Sequence, residues 1–447
     1  MVNVIRKQFL TRRRLTALGI FIFSLMIFLF SRVHQVADSK YSMLLAQAVL
    51  HDRTFTLDHF SIPRLPPQPQ IGYVSNGDIY QLELVNGHIY YFFPPGSSLL
   101  SLPYVTLMNA LGISAANSDG SYNQRGETAL EVGLAALLMS VLVVVIFYTS
   151  QWLLSFCWSV LIALGSAFGT QIWSTASRAL WSDTWGMFLL GVVLWLLTGM
   201  ATGRIRPRPI FLATLLAWLY FVRPTYCLSA IAVSIYVLLY YRKIFLPYAI
   251  AGLVWALIFV GYSEHEFGRV LPSYYRPGRL SFATFGQSFV GNLVSPSRGL
   301  LIFVPILLFI GYLLVRYHRN VVLSPLVVMS LAVIGIHIVV ISGFVPWWGG
   351  HCYGPRYTSG IVPCFSFIAV IAVRSRLSYQ RAKAPRTSEL RRTEWAVGAV
   401  LLFVSVAMNG IGAMSHRAWQ WNRQPINVDE RPERVWDWRH PQFLPWI

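Results

Sequence analysis

Two aspartates stand beside apolar segments in a chain that has only 17 acidic residues among 447. Asp38 follows the first long apolar run, and Asp183 precedes a later one. A carboxylate at the edge of a membrane is partly stripped of water, which makes it a stronger base for proton abstraction. Both are therefore candidate catalytic residues. The alternative for each is a structural role at the start of a helix, where aspartate is a preferred capping residue.

Arginines beside apolar runs form a second set of candidates. Arg178 is one, and three more stand in glycine- or proline-containing contexts: Arg223, Arg298 and Arg356. A guanidinium presents paired N–H donors that match the oxygens of a phosphate or diphosphate. We predict that Arg223, Arg298 and Arg356 include phosphate ligands. The alternative for any one of them is that it extends its charge toward water or pairs with a nearby carboxylate.

An aromatic and glycine-rich segment at 347–357 is the most unusual part of the sequence. Its glycines permit tight turns and close backbone approach, and its aromatic faces can stack on a sugar ring. Trp347, Trp348, His351 and Tyr357 are therefore candidate ligands for a sugar or for its acceptor. The alternative is that the tryptophans anchor the chain in the membrane interface.

Glu264 and Glu266 flank His265 and supply ligand types that divalent metals accept. Adjacent residues of a helix or strand point in different directions, so the alternative is a solvated loop start. The four cysteines indicate neither a disulfide pair nor a metal cluster. No cofactor is certain from the sequence, and a divalent metal is possible.

The elements that must position these residues are membrane helices. Hydrophobic residues make up 55% of the chain, charged residues 12%, and the mean hydropathy is +0.54, which excludes an ordinary soluble enzyme. We predict an all-α polytopic protein with about eleven spans, because apolar runs near the length that crosses a bilayer recur along the chain. The predicted spans are 15–33, 129–150, 152–173, 185–201, 209–222, 227–241, 244–262, 300–315, 321–344, 361–373 and 396–414.

The charge distribution predicts how these spans are oriented. The formal net charge is +19, and the inner side of the predicted topology holds 19 of the 36 basic residues and two of the 17 acidic ones. This bias obeys the positive-inside rule, with the N-terminus cytoplasmic and the C-terminus outside, and it makes nucleic-acid binding an unnecessary explanation. The predicted regions are a basic cytoplasmic tail at 1–14, a membrane domain at 15–414 with a basic cytoplasmic loop at 374–395, and a Trp-rich outer tail at 415–447.

Most of the predicted extracytoplasmic mass lies in one loop at 34–128. Its segment 38–50 predicts an amphipathic helix lying in the membrane interface, because its apolar residues share a face. A proline-rich stretch follows at 63–69. Asn86-Gly87 between two β-prone runs predicts a small β-hairpin. The segment 97–111 is apolar enough for a second interfacial helix.

Several sequence blocks occur in the order found in a known superfamily. They are Asp-Ser-Lys-Tyr at 38–41, Asn-Gly-His-Ile-Tyr-Tyr at 86–91, Phe-Pro-Pro-Gly-Ser-Ser at 93–98, Val-Arg-Pro-Thr at 222–225, Phe-Gly at 267–268, Ser-Pro-Ser-Arg-Gly-Leu at 295–300, and the segments 347–357 and 436–443. With them the chain resembles membrane-embedded glycosyltransferases of the GT-C fold. Among these it is similar to bacterial members such as protein mannosyltransferases and aminoarabinose transferases.

The resemblance implies a catalytic acid near the start of the large first loop, to which Asp38 corresponds. It places a second acid in the next outer loop, where Asp183 stands. The implied donor is a sugar on a polyprenyl phosphate, because nucleotide sugars are confined to the cytoplasm. The implied acceptor is a lipid, a glycan or a protein, reached from the extracytoplasmic side of a bacterial inner or plasma membrane.

Two departures from the family pattern affect these expectations. Many relatives carry a pair of acidic residues where this chain has Asp38 followed by Ser39. Relatives often have Asn and Arg before Phe-Gly, where this chain has Glu264-His265-Glu266. The second departure leaves metal dependence open.

The residues and the resemblance together predict a hexosyl or pentosyl transferase. Asp38 would act as the general base on the acceptor while arginines hold the leaving phosphate, and direct displacement would invert the anomeric centre. The alternatives are a lipid-linked sugar flippase or carrier and a noncatalytic protein of the same fold. A carrier should have ionisable residues and inverted repeats in its spans, whereas the inner halves of these spans are almost wholly apolar.

Overall fold

Helices dominate the computed structural model, which describes residues 2–62, 80–276, 278, 280–382 and 388–445. The proline-rich stretch at 63–69 and Trp446 lie outside these residues. Apolar runs fold as helices because hydrocarbon offers no partner to a backbone N–H or C=O, and a helix pairs both internally. The α-helices are α1 (Val2–Phe30), α2 (Ser42–His51), α3 (Gly96–Leu100), α4 (Leu102–Ala110), α5 (Gln124–Gln151), α6 (Phe156–Phe168), α7 (Ser182–Ala201), α8 (Pro209–Val222), α9 (Cys227–Tyr240), α10 (Arg242–Phe267), α11 (Phe285–Val294), α12 (Leu300–Phe303), α13 (Ile306–Arg316), α14 (Ser324–Ile341), α15 (Val362–Ala382), α16 (Ser388–Met414) and α17 (His416–Gln420).

Seven helical segments in the described part of the chain are long and apolar enough to cross a membrane. They are Thr11–Phe30, Gln124–Gln151, Ser182–Ala201, Arg242–Phe267, Ser324–Ile341, Arg356–Ala382 and Arg392–Met414. The chain therefore has the architecture of a multi-pass membrane protein.

The other four predicted spans fall on shorter helices. These are α6, α8, α9 and α13, which have 13, 14, 14 and 11 residues. At 1.5 Å per residue a 14-residue helix is about 21 Å long, shorter than the roughly 30 Å of a hydrocarbon core. By length and composition the described residues thus contain seven full spans, and the count of about eleven stays a prediction.

The centre of the bundle is formed by α5, α7 and α15. In the most apolar stretches of their spans 72%, 72% and 89% of the residues are buried, against 22% in α1 and 11% in α10. α5 packs along α1, α6 and α7, and α15 packs against α7. Asp183 lies in the first turn of α7, and Arg356 begins the 3₁₀ turn Arg356–Ile361 that leads into α15. Two of the predicted site residues therefore lie at the starts of the most buried helices.

The helix expected over 38–50 begins later and is placed differently. α2 starts at Ser42, after Tyr41 with a φ of 75°. Its residues 42–48 are all buried, because it packs between α3, α4 and α5. The apolar face predicted to lie in the membrane interface therefore packs inside the protein instead. α4, within the second predicted interfacial segment, does leave Leu107 59% exposed.

A two-stranded antiparallel sheet follows the part of the first loop that is not described. Its strands are β1 (Leu82–Val85) and β2 (His88–Tyr91), joined through Asn86 and Gly87 at φ values of 52° and 87°. Glycine and asparagine tolerate this left-handed backbone, which a two-residue turn requires. Tyr91 at the end of β2 and Tyr80 just before β1 both bond to Asp38.

The C-terminal segment folds back over the 345–357 loop. Trp347, Trp421, Val428 and Val435 form a buried cluster, with Trp348 and Trp436 packed against it. A Trp-rich tail is thus used as packing for another segment of the chain. Trp438 is an exception, with 59% of its surface exposed.

Candidate functional site

Asp38 is held by two partners from distant parts of the chain. Tyr80 Oη donates to Asp38 Oδ1 at 3.0 Å, and Arg356 Nη2 forms an ion pair with Asp38 Oδ2. The Asp38 side chain keeps 23% of its surface exposed. It makes no capping bond to α2, whose N-cap is Tyr41. The carboxylate is therefore paired, anchored and still reachable from outside.

Tyr80 acts as a hydrogen-bond donor to this carboxylate. Burial, together with the neighbouring negative charge of Asp38, raises the pKa of Tyr80 above its usual value. The phenol therefore stays protonated at physiological pH. Tyr91 Oη adds a bond of 2.6 Å to the backbone carbonyl of Asp38, so the two tyrosines fix both the side chain and the main chain.

Asp183 forms the second ion pair of the site, with Arg223. Both side chains are almost fully buried, with 3% and 6% of their surfaces exposed. Asp183 also lies in the first turn of α7, where a negative charge complements the helix dipole. The pair joins the start of α7 to the turn after α8.

The two ion pairs lie side by side. The Arg356 guanidinium carbon sits 3.5 Å from the centre of the Trp181 ring, a close cation–π contact. The Tyr357 ring centre is 5.9 Å from the Arg223 guanidinium and 6.0 Å from that of Arg356. We name this cluster the paired-ion centre; it comprises Asp38, Asp183, Arg223, Arg356, Trp181 and Tyr357. Its two acids and two arginines balance in formal charge.

The arginines of the paired-ion centre keep unused donors. Arg356 Nη1 donates to Gly349 O at 3.3 Å, while the buried Nε has no partner among the described residues. Trp181 Nε1 is likewise buried without a partner in the described chain. For the Arg223 guanidinium the ion pair to Asp183 is the only hydrogen bond within that part of the protein. Buried donors without partners are unfavourable unless a ligand or water completes them.

Arg298 is placed differently from what a phosphate ligand needs. Its five N–H groups donate to Trp348 O, Ser297 O, Gln442 Oε1, Gly350 O and Asn422 Oδ1 at 2.6–3.2 Å. A guanidinium has no further donor to offer. Arg298 therefore links the 345–357 loop to the C-terminal segment and presents nothing to a ligand in this arrangement. Arg178 is similarly enclosed, with bonds to Ser177, Ser31 and Phe28.

Three of the predicted sugar-binding residues lie against the C-terminal segment. Trp347 is 6% exposed in the tryptophan cluster. Trp348 Nε1 donates to Asp429 Oδ1 at 2.8 Å, and His351 Nε2 lies 2.8 Å from Asn427 Oδ1. Only Tyr357 of the predicted four enters the paired-ion centre. Gly349 connects the two groups through its carbonyl bond to Arg356.

Glu264 and Glu266 lie at the end of α10. Glu264 is exposed, while Glu266 Oε2 accepts from Tyr90 Oη at 3.2 Å. The described residues contain no group of three or more His, Cys, Asp or Glu side chains that could hold a metal. Two separated carboxylates give a divalent cation too few ligands.

The structure adds two acids that the sequence predictions passed over, Glu127 and Glu131 on α5. Both are fully buried. Glu131 Oε2 accepts from Ser39 Oγ at 2.6 Å and from Leu180 N at 3.3 Å, and Glu127 Oε1 accepts from Met43 N at 3.0 Å. A spacing of four places both on one helix face, and glutamates at the start of an apolar run are the signal that could have revealed them.

Glu131 holds together the two chain segments that carry the acids of the paired-ion centre. Glu131→Leu removes the acceptor of two buried donors, so we expect a loss of about 1–3 kcal/mol of stability. Glu131→Gln keeps an acceptor oxygen and is the matched control. Thermal unfolding in detergent, followed by tryptophan fluorescence, compares the two variants. Equal midpoints for Leu and Gln would contradict the linking role.

Comparison with known proteins finds the fold but no family. No protein-family profile matches the sequence, and no curated protein matches it. The structure is similar to the Archaeoglobus fulgidus oligosaccharyltransferase tethered with an acceptor peptide, with a TM-score of 0.52, 12% identity, and coverage of 94% of this chain and 58% of that one. The apo form of that protein gives a TM-score of 0.49 and 12% identity, with coverage of 95% of this chain and 60% of that one. AglB of the same organism, in complex with an inhibitory peptide and a dolichol-phosphate, gives a TM-score of 0.45 and 10% identity, with coverage of 95% and 60%.

The first of these similarities is a similarity of fold. The chain thus shares its fold with that archaeal oligosaccharyltransferase, which supports the predicted GT-C-like fold. It spans less than two thirds of the length of the archaeal proteins. The narrower similarity to bacterial mannosyltransferases or aminoarabinose transferases stays a prediction.

Proposed function

We propose that this chain is an integral-membrane glycosyltransferase that moves a sugar from a polyprenyl-phosphate donor to an acceptor at the extracytoplasmic face. The observation that carries the proposal is the paired-ion centre. It combines a reachable carboxylate, Asp38, with two arginines that keep unused donors. The archaeal protein that shares the fold is an oligosaccharyltransferase crystallised with an acceptor peptide, which supports the same class of reaction.

The first step is capture of the donor phosphate by Arg356 and Arg223. The free Nε of Arg356 and the unused donors of Arg223 suit phosphate oxygens. A phosphate that approaches Arg356 competes with Asp38 for the guanidinium. Donor binding therefore loosens the Asp38 ion pair and leaves the carboxylate free to act as a base.

The transfer step then forms one bond and breaks another. The acceptor oxygen attacks the anomeric carbon while Asp38 takes the acceptor proton, and the bond from that carbon to the phosphate oxygen breaks. The electron pair of the broken bond stays on the phosphate, whose charge the arginines stabilise. One direct displacement inverts the anomeric centre.

Asp183 has a supporting part in this scheme. Its side chain is 3% exposed and paired with Arg223, so it holds that guanidinium toward the phosphate rather than meeting the acceptor. This makes Asp183 a positioning residue for the donor. Trp348 and His351 border the same loop as Tyr357 and are proposed to line the acceptor side, with Trp347 packed behind them.

The proposed setting follows the charge distribution of the sequence. By the positive-inside rule the basic loops support a cytoplasmic N-terminus and an extracytoplasmic paired-ion centre. The proposed membrane is a bacterial inner or plasma membrane. The acceptor is a lipid, a glycan or a protein. The mechanism uses no metal, and a requirement for a divalent ion is an outcome that chelation of the purified protein would reveal.

The role of Arg356 is tested by Arg356→Lys, which keeps the charge and removes the planar fork. Since a charge-assisted hydrogen bond contributes about 1.5–3 kcal/mol, we expect donor affinity to fall about ten- to a hundredfold. The measurement is displacement of a fluorescent polyprenyl phosphate from purified protein. The control is Arg417→Lys, an exposed arginine on the C-terminal segment. Unchanged affinity in the Arg356 variant would remove this residue from the phosphate site.

A further inference from the structure

A histidine lies inside the membrane span α14, one turn before the end that leads into the 345–357 loop. The sequence of α14 holds no aspartate, glutamate, lysine or arginine, so His337 is its one ionisable side chain. The residue is buried, with 6% of its surface exposed. A group that can carry a charge is unfavourable within a span, and such groups commonly serve a functional site. The proposed transfer steps do not use His337.

This histidine is bonded to the main chain of Tyr357. Its Nε2 lies 2.8 Å from Tyr357 O. A carbonyl oxygen can only accept a hydrogen bond, so Nε2 carries a proton and donates it to the bond. The bond ties α14 to the 3₁₀ turn that begins at Arg356.

The main chain at Tyr357 sets the position of two groups of the paired-ion centre. Arg356 is the preceding residue, with its Cα about 3.8 Å away across one peptide bond. The Tyr357 ring centre is 5.9 Å from the Arg223 guanidinium and 6.0 Å from that of Arg356. Tyr357 Oη donates to Pro346 O at 3.3 Å, so the far end of the ring is held as well. A shift of the Tyr357 carbonyl would therefore move Arg356 and the ring together.

His337 also lies near the second ion pair of the centre. Arg223 and Asp183 both interact electrostatically with its ring. One side chain of α14 thus adjoins parts of both ion pairs.

We infer that His337 is a positioning residue of the paired-ion centre, which holds the Tyr357 main chain so that Arg356 and Arg223 can bind one phosphate. The inference rests on the proposed function for the identity of that phosphate. The alternative is a histidine that stabilises the fold only and does not affect phosphate binding.

The test compares His337→Phe with His337→Gln. Phenylalanine keeps an aromatic ring and removes the donor, whereas the amide of glutamine reaches about as far as Nε2 of histidine and can donate to Tyr357 O. We expect His337→Phe to lower the affinity for a fluorescent polyprenyl phosphate about two- to tenfold, the effect of one lost hydrogen bond. His337→Gln should restore most of that affinity.

The control is His59→Phe in the first outer loop, where the side chain is 67% exposed. It should keep the wild-type affinity. Wild-type donor affinity in the folded His337→Phe variant, with or without a lower unfolding temperature, would overturn the inference. Equal losses of affinity in the Phe and Gln variants would overturn it too.

A second measurement does not need a donor. Protein in lipid, with isotope-labelled histidine ring nitrogens and tyrosine carbonyl carbons, should show a dipolar contact between His337 and Tyr357 in solid-state NMR, and His337→Gln should lose it. Absence of this contact in the wild type would overturn the inference.

A donor that does not bind distinguishes the inference from the proposed function. If the NMR contact is present but the wild type binds no polyprenyl phosphate, the proposed donor is wrong, and the Phe and Gln variants are compared with inorganic phosphate instead. Weaker phosphate binding in the Phe variant alone would support the positioning role. Equal phosphate affinity in the two variants, or no binding to either, would overturn it.

Discussion

Asp38→Asn is expected to lower the turnover of a lipid-linked sugar donor at least about a hundredfold, which is the range for loss of a general base. Asparagine keeps the shape of the side chain and can still accept the hydrogen bond from Tyr80. It cannot take a proton from the acceptor. The change also frees Arg356 from its ion pair, so donor binding should be equal or tighter.

The measurement is a comparison of kcat with the affinity for donor in purified protein. Asp119→Asn is the matched control, because Asp119 is an exposed carboxylate of the same outer loop and, among the described residues, its side chain bonds to Ser121 alone. The control should keep wild-type kcat. A kcat near wild type in the Asp38 variant would move the base elsewhere, with Asp183 as the next residue to test.

Arg298→Leu is expected to destabilise the protein by about 2–6 kcal/mol, because Ser297 O and Gly350 O lose their hydrogen bonds and each unpaired acceptor costs about 1–3 kcal/mol. Arg298 is 2% exposed and is bonded to five acceptors from three segments of the chain. Leucine removes all five bonds, while Gln442 Oε1, Asn422 Oδ1 and Trp348 O each keep one other donor. The C-terminal segment should then come away from the 345–357 loop.

Two variants separate this structural role from phosphate binding. Arg417→Leu, on the exposed surface of α17, should leave the unfolding temperature unchanged. Arg298→Lys keeps a charge but has three donors for five acceptors, so we expect lower stability with unchanged donor affinity in the folded fraction. Normal stability combined with weakened donor binding would instead make Arg298 the phosphate ligand that the sequence predicted.

The sequence predicted those features that depend on local composition, namely the helices and the candidate acids. Apolar runs predicted the helices, because a bilayer requires long stretches without charge. Scarce carboxylates at the ends of such runs made Asp38 and Asp183 candidate catalytic residues. The ion-pair partners of these aspartates could not be predicted from local sequence, since Asp38 and Arg356 are 318 positions apart.

The ranking of the arginines also depended on contacts that sequence patterns do not show. Arg298 and Arg356 both stand beside glycine and proline, and both are buried. What distinguishes them is Gln442 and Asn422 of the C-terminal segment, which occupy donors of Arg298. Only tertiary packing decides which guanidinium keeps donors for a ligand.

The number of full spans and the packing of α2 both depend on features that hydropathy does not show. Hydropathy averaged along the chain does not distinguish a 14-residue helix from a full span when polar turns are few. Likewise, an apolar face on 38–50 fits a membrane surface as well as a protein interior. Packing against α3, α4 and α5 decided the second case.

The most direct test of the proposed reaction follows its two products, the released polyprenyl phosphate and the glycosylated acceptor, in one experiment. Wild-type protein in lipid nanodiscs is given a panel of polyprenyl-phosphate sugars and an extract of envelope lipids, glycans and proteins, and mass spectrometry tracks the mixture. We predict that one donor is consumed, with release of one polyprenyl phosphate for each sugar that appears on an acceptor. The contradicting result is a donor that binds, is displaced by inorganic phosphate and is never cleaved, but crosses the bilayer of reconstituted vesicles. That result would contradict the transferase proposal and identify the protein as a carrier.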